Sequence, residues 1–381
     1  MGARQARDPV GSAGAPADRV QRRGRRLDPR RPPLRAVPSG GLSASPPRVS
    51  VLLPVWNAAG TLPAALACVR AQTLAALEAV VVANGCSDGS TEIARRAAEQ
   101  DARIGVIERD EADLVSALNA GLDRCRAPLV ARFDADDLMA PERLARQVAA
   151  LAAHPEWAAV TCGVDFAAVG GAEGGAGMAR HVAWLNGLDT PEALRAARFV
   201  DAPVAHPAVT FRAEVVRALG GYRDGPFAED HDLWLRLFEA GHGFGAVPER
   251  LVTWRDRPAR LTRVDGRYRE RQRRGLTHRF LRSGPLAGGR RCLVWGAGRY
   301  GKRHARELIA AGVAVDALVD IDPRKIGGAI AGAPVISADE VGPPDGRLIL
   351  VAVGGRGARE LVTARLEALG HRQERDFLAV Q

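Results

Sequence analysis

Two groups of carboxylates in this chain are spaced for chemistry. In Pro128-Leu-Val-Ala-Arg-Phe-Asp-Ala-Asp-Asp137 an apolar, β-favouring run ends in three acids within four positions. Its first half reads as a buried strand. Unpaired charges cannot be buried with it, so the strand must leave a core and present Asp134, Asp136 and Asp137 at its tip. On an extended backbone Asp134 and Asp136 point to one side and Ala135 to the other. Two like carboxylates side by side repel unless a cation lies between them. An all-oxygen pair suits Mg²⁺ or Mn²⁺, which bind through one or two carboxylates together with substrate phosphates. The same acids would also serve as a turn ahead of a helix starting at Pro141-Glu142. The second group, Glu229-Asp230-His231-Asp232, opens a helical pattern with Leu233, Trp234, Leu237 and Phe238 on its apolar side, where acids complement the helix dipole. A third pattern is Gly296-Ala-Gly298-Arg-Tyr-Gly301, which follows the strand Cys292-Leu-Val-Trp295 and opens a helix. Asp320 stands 19 residues past Gly301, at the end of the next strand. In that context the glycines let a phosphate approach a helix N-terminus, and Asp320 could take ribose hydroxyls.

The elements that must position these residues alternate. Strands are expected at 48–55, 78–83, 104–108 and 128–133, with helices over 61–72, 90–100, 112–125 and 141–153. Thr61 is the expected cap of the first helix. Alternation with helices of this length means a mostly parallel, doubly wound sheet, whose ligands sit at the carboxyl ends of strands. Asn57, the loop from Asn84 to Asp88, and the acidic tip all fall at such ends. The middle of the chain is less regular. A strand is expected over 160–168, a flexible Gly/Ala loop over 170–177, a helix over 190–198, a strand over 206–211, a helix over 214–219 and a strand over 244–254. An Arg-rich connector, partly helical at best, spans 255–288, and the βα pattern restarts at Arg290 as a separate small α/β unit.

The 381 residues suffice for two or three domains. No stretch approaches the roughly 18 apolar residues of a membrane span, and the N-terminus lacks the apolar region of a secretory signal. Five scattered cysteines argue against a zinc site or disulfide framework and fit a reducing cytoplasm. The formal charge of +10 is segmental, because residues 1–48 carry 11 Arg against 3 Asp and residues 255–282 carry 11 Arg against 2 Asp and 1 Glu. The rest of the chain is mildly acidic. Aromatics do not interleave with the arginines as stacking platforms would, so nucleic-acid binding is not expected. Attraction to phosphates or to an anionic membrane surface is the better use of such runs. Residues 1–46 show no periodicity and read as a disordered basic tail, or as the product of a start codon assigned too far upstream.

Seven blocks in order carry a family resemblance: Val51-Leu-Leu-Pro-Val-Trp-Asn57, Asn84-Gly-Cys-Ser-Asp-Gly-Ser90, Ala117-Leu-Asn-Ala-Gly121, Ala131-Arg-Phe-Asp-Ala-Asp-Asp137, His206-Pro-Ala-Val-Thr-Phe-Arg212, Gly220-Gly-Tyr222 and Ala228-Glu-Asp-His-Asp-Leu-Trp-Leu-Arg236. Together, over about residues 48–255, the chain resembles the inverting glycosyltransferases of family 2 with the GT-A fold. The resemblance implies that Pro54, Trp56, Asn57, Asn84 and Asp88 form the base and ribose groove. An acidic residue is common in the family where Asn84 stands, which leaves donor identity open. Asp134 and Asp136 match the family's D-x-D, implying a divalent metal that bridges the donor diphosphate. Asp136 is the first expected ligand, Asp134 its helper or a ribose contact, and Asp137 the cap of the following helix. Glu229 and Asp230 match the Glu-Asp motif, which implies Asp230 as catalytic base, Glu229 as the alternate and Asp232 as a helix cap. His206 would contact the diphosphate or the acceptor, or be a satisfied strand-end histidine. Asp320-Ile-Asp-Pro-Arg-Lys-Ile-Gly327 further resembles Rossmann-like nucleotide-binding domains of sugar-modifying proteins, with Gly296, Gly298, Gly301 and Asp320 facing a nucleotide or dinucleotide.

The expected organisation is therefore a basic tail (1–46), a GT-A domain (47–255), an Arg-rich linker (256–288) and a small Rossmann-like domain (289–381). The expected activity is metal-dependent transfer of a sugar from a nucleoside diphosphate to a glycan or lipid-linked acceptor in polysaccharide biosynthesis. The setting is cytoplasmic or peripheral at the inner membrane face. The alternatives are a catalytically inactive nucleotide-sugar or dinucleotide-binding regulator, and a nucleotidyltransferase. The latter lacks the Gly-rich, basic triphosphate loop after the first strand. If residues 255–282 dock to an anionic membrane, vesicle binding should fall steeply with salt. Absent or salt-insensitive binding in a sedimentation assay removes that idea.

Overall fold

A computed structural model describes residues 35–36, 46–168, 175–257, 260–355 and 357–381. The basic tail expected over 1–46 lies outside the described residues except at its last position and at β1 (Arg35–Ala36). β1 is a paired strand, antiparallel to Glu108 and Ile107. The chain then alternates as expected through β2 (Val49–Val55), α1 (Leu62–Arg70), β3 (Leu77–Asn84), α2 (Ser90–Gln100), β4 (Ile104–Arg109), α3 (Leu114–Arg124) and β5 (Leu129–Arg132). A two-residue strand, β6 (Leu138–Met139), precedes α4 (Arg143–Ala153) and the long β7 (Trp157–Ala168). Next come α5 (Gly175–Asn186), α6 (Pro191–Ala197), β8 (Thr210–Arg212), α7 (Ala213–Ala218), α8 (Glu229–Glu239) and β9 (Gly243–Asp256).

These strands form one nine-stranded sheet in the order β1-β4-β3-β2-β5-β8-β7-β9-β6. The β4-β3-β2-β5 half is parallel, and antiparallel pairings enter at β8, β6 and β1. Both faces are covered, which is why the parallel strands read as continuous apolar runs. Val49, Val51, Leu53 and Val55 of β2 join the core on one face, while Leu52 joins the core beneath α3 and α8 on the other.

The expectations failed where local pattern was weak. The loop expected over 170–177 is in part helix, because α5 starts at Gly175 and lays Val182 and Leu185 onto the core beside β7. Residues 170–174 lie outside the described residues. The strand expected from 206 is a 3₁₀ turn over His206–Ala208, with strand only from Thr210, since Pro207 has no N–H for a ladder. Thr61 occupies the cap position of α1 without capping it; its hydroxyl donates to the Ala58 carbonyl instead.

The largest departure is the Arg-rich segment, where α9 (Leu261–Val264) is followed by the 14-residue helix α10 (Glu270–Ser283). Beyond it lie β10 (Cys292–Trp295), α11 (Arg299–Ala310), β11 (Val315–Asp320), β12 (Ala329–Ile330), β13 (Ala333–Ser337), β14 (Leu348–Val351), α12 (Ala358–Ala368) and β15 (Phe377–Ala379). They build a second sheet, ordered β12-β13-β11-β10-β14-β15 and parallel from β13 to β15. Helix α10 is wedged between the two sheets. Leu276, Phe280 and Leu281 share a core with Phe199 and Leu235 of the first half and with Val294, Leu308 and Leu350 of the second. Three of its arginines are matched: Arg273 to Asp201, Arg279 to Asp232, and Arg274 bidentately to Glu307 at 2.6 and 2.8 Å. Replacing fully buried Leu281 by Ala should cost about 2–5 kcal/mol in denaturant unfolding. A loss below about 1 kcal/mol would show that α10 is peripheral to the fold.

Candidate active site

The carboxyl ends of β2, β3 and β5 open into one cavity of about 860 Å³, whose far wall is the start of α8. Pro54, Trp56, Asn57, Asn84, Asp134 and Asp136 line the near side. Asn57 holds a left-handed backbone (φ 46°) and its Oδ1 accepts from Ser87 N at 2.8 Å, so the two strand-end loops are tied together. Trp56 is left 56% exposed at the mouth. Asn84 is buried, and its amide oxygen accepts from Asp113 N at 3.3 Å, at the start of α3. Asp88 does not reach the cavity wall. Its carboxylate accepts from Ala59 N and from both Ser90 N and Ser90 Oγ, fastening the entrance of α2.

At the tip of β5, one carboxylate oxygen from each of Asp134, Asp136 and Asp137 lies within 4.8 Å of the others. The strand end is braced from behind by Arg143, fully buried on α4, which donates to the Arg132 carbonyl at 2.8 Å. Arg132, nearly buried, turns back to Asp134 Oδ1 at 2.6 Å, the same-side geometry of residues two apart on a strand. Arg257 donates to Asp136 Oδ2 at 2.9 Å. Asp137 is not the cap of the next helix. Residues 138–139 peel away to pair with β9, α4 is preceded by Glu142, and Asp137 Oδ1 accepts from Arg255 N at 2.9 Å. Burial, and secondarily the Asp134 charge, push the Asp137 carboxyl well above its usual range. Its Oδ2 is buried with no hydrogen-bond partner among the described residues. An all-oxygen cluster with an orphaned buried oxygen fits a hard divalent cation.

On the far wall, Glu229 and Asp230 form the first turn of α8. Glu229 is buried; its Oε2 accepts from the Tyr268 hydroxyl at 2.8 Å, and its Oε1 lies 4.0 Å from His206 Nδ1. His206 meets the Tyr222 hydroxyl through Nε2 at 3.0 Å. Burial, reinforced by the Arg132 charge, drives the His206 imidazole well below its ordinary value, so it is neutral near pH 7. Asp230 keeps a partly open face toward the cavity, where its own backbone neighbour His231 N donates to it at 2.8 Å. Desolvation by the cavity walls, and then the adjacent Glu229, push its carboxyl up to about 8. Asp232 is not a helix cap. It is fully buried and paired with Arg236 at 2.7 Å and with Arg279 of α10.

Arg132, Asp201 and Tyr268 line the cavity and escaped the sequence reading, whereas Arg257, Arg260 and Arg267, which also line it, belong to the Arg-rich run expected to attract phosphates or an anionic surface. Tyr268 carried a faint signal as the one tyrosine in the Arg-rich run. Asp201, paired with Arg273 at 2.6 Å, carried none.

Gly296, Gly298, Gly301 and Asp320 come together elsewhere, at the carboxyl ends of β10 and β11, and none lines this cavity. Gly296 has φ 118°, and a Cβ there would stand 2.8 Å from the Ala352 carbonyl oxygen. A Cβ on Gly301 would fall 1.6 Å from the Gly296 oxygen, so the turn requires both glycines. Asp320 accepts from Ala297 N at 2.8 Å and from Lys325 Nζ at 3.0 Å; its oxygens currently secure the turn.

A family model and sequence relatives match the first half of the chain. Residues 50–219 match the model of glycosyl transferase family 2. The chain is 32% identical over 206 residues to the amylovoran biosynthesis glycosyltransferase AmsE of Erwinia amylovora, covering 53% of this chain and 74% of that protein. It is 31% identical over 205 residues to the putative glycosyltransferase EpsE of Bacillus subtilis (strain 168), covering 52% and 69%. Among solved structures, a mannosyltransferase from Pyrobaculum calidifontis in complex with GDP-Man and Mn²⁺ aligns with a TM-score of 0.48 at 23% identity, over 64% of this chain and 66% of that one. With an α/β sheet whose strand ends hold the family's motifs in register, the chain belongs to glycosyltransferase family 2.

Proposed function

We propose that this glycosyltransferase is metal-dependent and inverting, and that it moves a sugar from a nucleoside diphosphate to a hydroxyl of a glycan or lipid-linked acceptor. The observation that carries this reading is a single cavity with an acidic tip on one wall and a desolvated carboxylate, Asp230, on the other. Asp136 and Asp134, with Asp137 behind them, would hold a divalent cation, which when bound supplies charge neutralisation to the departing nucleotide. Pro54, Trp56, Asn57 and Asn84 would hold base and ribose, with Asp88 acting on the groove only through its loop. Asp230 takes the proton of the acceptor hydroxyl; Glu229, held by Tyr268 and itself pushed up by burial, raises the basicity of Asp230 when ionised. Neutral His206 holds the Glu229 side of the wall in place.

The relative AmsE is named for amylovoran biosynthesis, and we assign this chain likewise to polysaccharide biosynthesis at the cell envelope. Among the described residues no helix is long and apolar enough to cross a membrane. The setting we assign is the cytoplasm, with any contact to an anionic inner membrane surface made by exposed Arg269, Arg271 and Arg282. The turn at Gly296, Gly298 and Gly301, with Asp320, would take a nucleotide or dinucleotide as a regulator or an aid to donor supply.

The direct test is a screen of nucleotide sugars with Mn²⁺, scoring nucleotide release. Asp230→Asn should lower turnover by about 10²–10⁴-fold while donor binding persists. Turnover that survives the substitution removes the base assignment, and binding without turnover in the unaltered chain indicates a regulator. The pH dependence has a definite sign. Asp230 must be ionised to act, so kcat/KM should climb toward a limb near pH 8. Its folded value lies above the unfolded value of about 3.9. The proton is therefore held more tightly in the fold, and stability is lost as pH rises from about 4 through 8. In metal-free urea unfolding, Asp230→Asn should gain on the unaltered protein between pH 5 and pH 8.5. A constant difference across that range would show that Asp230 is not perturbed.

A further inference from the structure

Asp136 cannot bind a cation through Oδ2 and keep its present partner. That oxygen accepts from Arg257 at 2.9 Å, the Asp136 carbonyl accepts from Arg255 Nε, and Asp137 Oδ1 accepts from Arg255 N at 2.9 Å. The end of β9, with Arg257 just beyond it, is thus laid across the acidic tip. Arg260 adds a fourth contact to this strap, its guanidinium 4.1 Å from the centre of the Trp254 ring.

Charge around the tip is unmatched in both directions. On the acidic side, Asp137 Oδ2 is buried without a partner among the described residues. On the basic side, Arg132 Nε, Arg255 Nη2, Arg257 Nε and Arg260 Nη1 are likewise buried and without a partner among the described residues. Buried donors left open cost stability unless something occupies them. Clustered guanidinium forks suit an anion with several oxygens in a plane or a chain, such as a diphosphate. Arg132, Arg257 and Arg260 all line the cavity. A cation on the carboxylates together with a diphosphate against the arginines would satisfy both sets at once.

We propose that Arg257 and a divalent cation alternate on Asp136, and that Arg257, once displaced, joins Arg260 in holding the donor's diphosphate. This rests on the nucleotide-sugar reading of the cavity and assigns to that site a residue outside the family's acidic motifs. Without donor, Arg257 screens the tip. With a cation on Asp136 the guanidinium is repelled from it and finds phosphate oxygens in the same cavity. One side chain therefore competes with the metal and assists the nucleotide, two effects of opposite sign.

Binding measurements on the full chain separate them: Mn²⁺ alone, followed by paramagnetic resonance of the unbound ion, and UDP or GDP with saturating Mn²⁺, followed by calorimetry. Arg257→Gln should tighten Mn²⁺ about threefold or more and weaken the bound nucleotide about tenfold. Arg257→Lys, which keeps the charge and loses the fork, should fall between. Arg260→Gln should weaken the nucleotide and tighten Mn²⁺ less than Arg257→Gln does, since Arg260 acts on the tip only through its charge near Asp137 and makes no described contact with Asp136. Unchanged or weaker Mn²⁺ binding in a folded Arg257→Gln protein, or Mn²⁺ binding tightened as much in Arg260→Gln, overturns the exchange. If the unaltered chain binds Mn²⁺ and nucleotide but Arg257→Gln changes neither, the exchange alone fails. If the unaltered chain binds neither, the donor-site reading fails with it.

Discussion

Three aspartates whose oxygens sit within 4.8 Å of one another are the constraint to which the rest of this molecule answers. At about 4 Å, two like charges repel by roughly 4 kcal/mol even at an effective dielectric near 20. The fold meets that cost with arginines drawn from distant parts of the chain. Arg132 arrives on the strand itself, Arg143 braces it from the helix behind, and Arg255 and Arg257 come from the end of β9. The long β9 strand, paired to both β7 and the short β6, is what brings those last two within reach. Sheet topology and local electrostatics are therefore one problem here. The strand order sets positive charge beside a crowded negative tip.

The opposite wall works by a different device. Glu229 is buried between the Tyr268 hydroxyl and a neutral His206, whose far nitrogen meets Tyr222. None of these three groups carries positive charge; burial pushes the Glu229 carboxyl up against the opposing charges of Arg132 and Arg267, and an ionised Glu229 in turn raises Asp230. Asp232, one turn further along the same buried helix, is fully paired by Arg236 and Arg279 and has no such freedom. Two carboxylates on one helix thus acquire opposite characters from their partners. The paired one fastens helices, and the strained one faces the open space.

What was legible in the sequence was what local pattern encodes. The strands β2 to β5 could be read because they are covered on both faces, and the acids at the end of β5 could be read because charge cannot follow a strand inward. Asp137 was misassigned because its partner, Arg255, lies 118 residues away and leaves no local trace. Helix α10 was hidden for a related reason. Five buried positions, Leu276, Thr277, His278, Phe280 and Leu281, are diluted among arginines, and the acids that neutralise three of those arginines, Asp201, Asp232 and Glu307, are remote in sequence. A charge run reads as solvated surface until its counter-ions are located. Tyr268 was missed likewise, since a hydroxyl contact over 39 residues has no periodicity to betray it.

Helix α10 also decides how this protein can be taken apart. Arg279 grips α8, Arg274 grips α11, and His278 Nε2 meets His304 Nδ1 at 2.9 Å in a buried junction. The hydrophobic seam between the halves therefore has no clean cleavage plane. Recombination that exchanged the second sheet alone would strip Phe280 and Leu281 of their far-side neighbours and strand a buried imidazole without its mate. Helices α8, α10 and α11 thus form one fastened triplet, and exchanging the second sheet would mean keeping α10 with it or repacking α8 around a new helix.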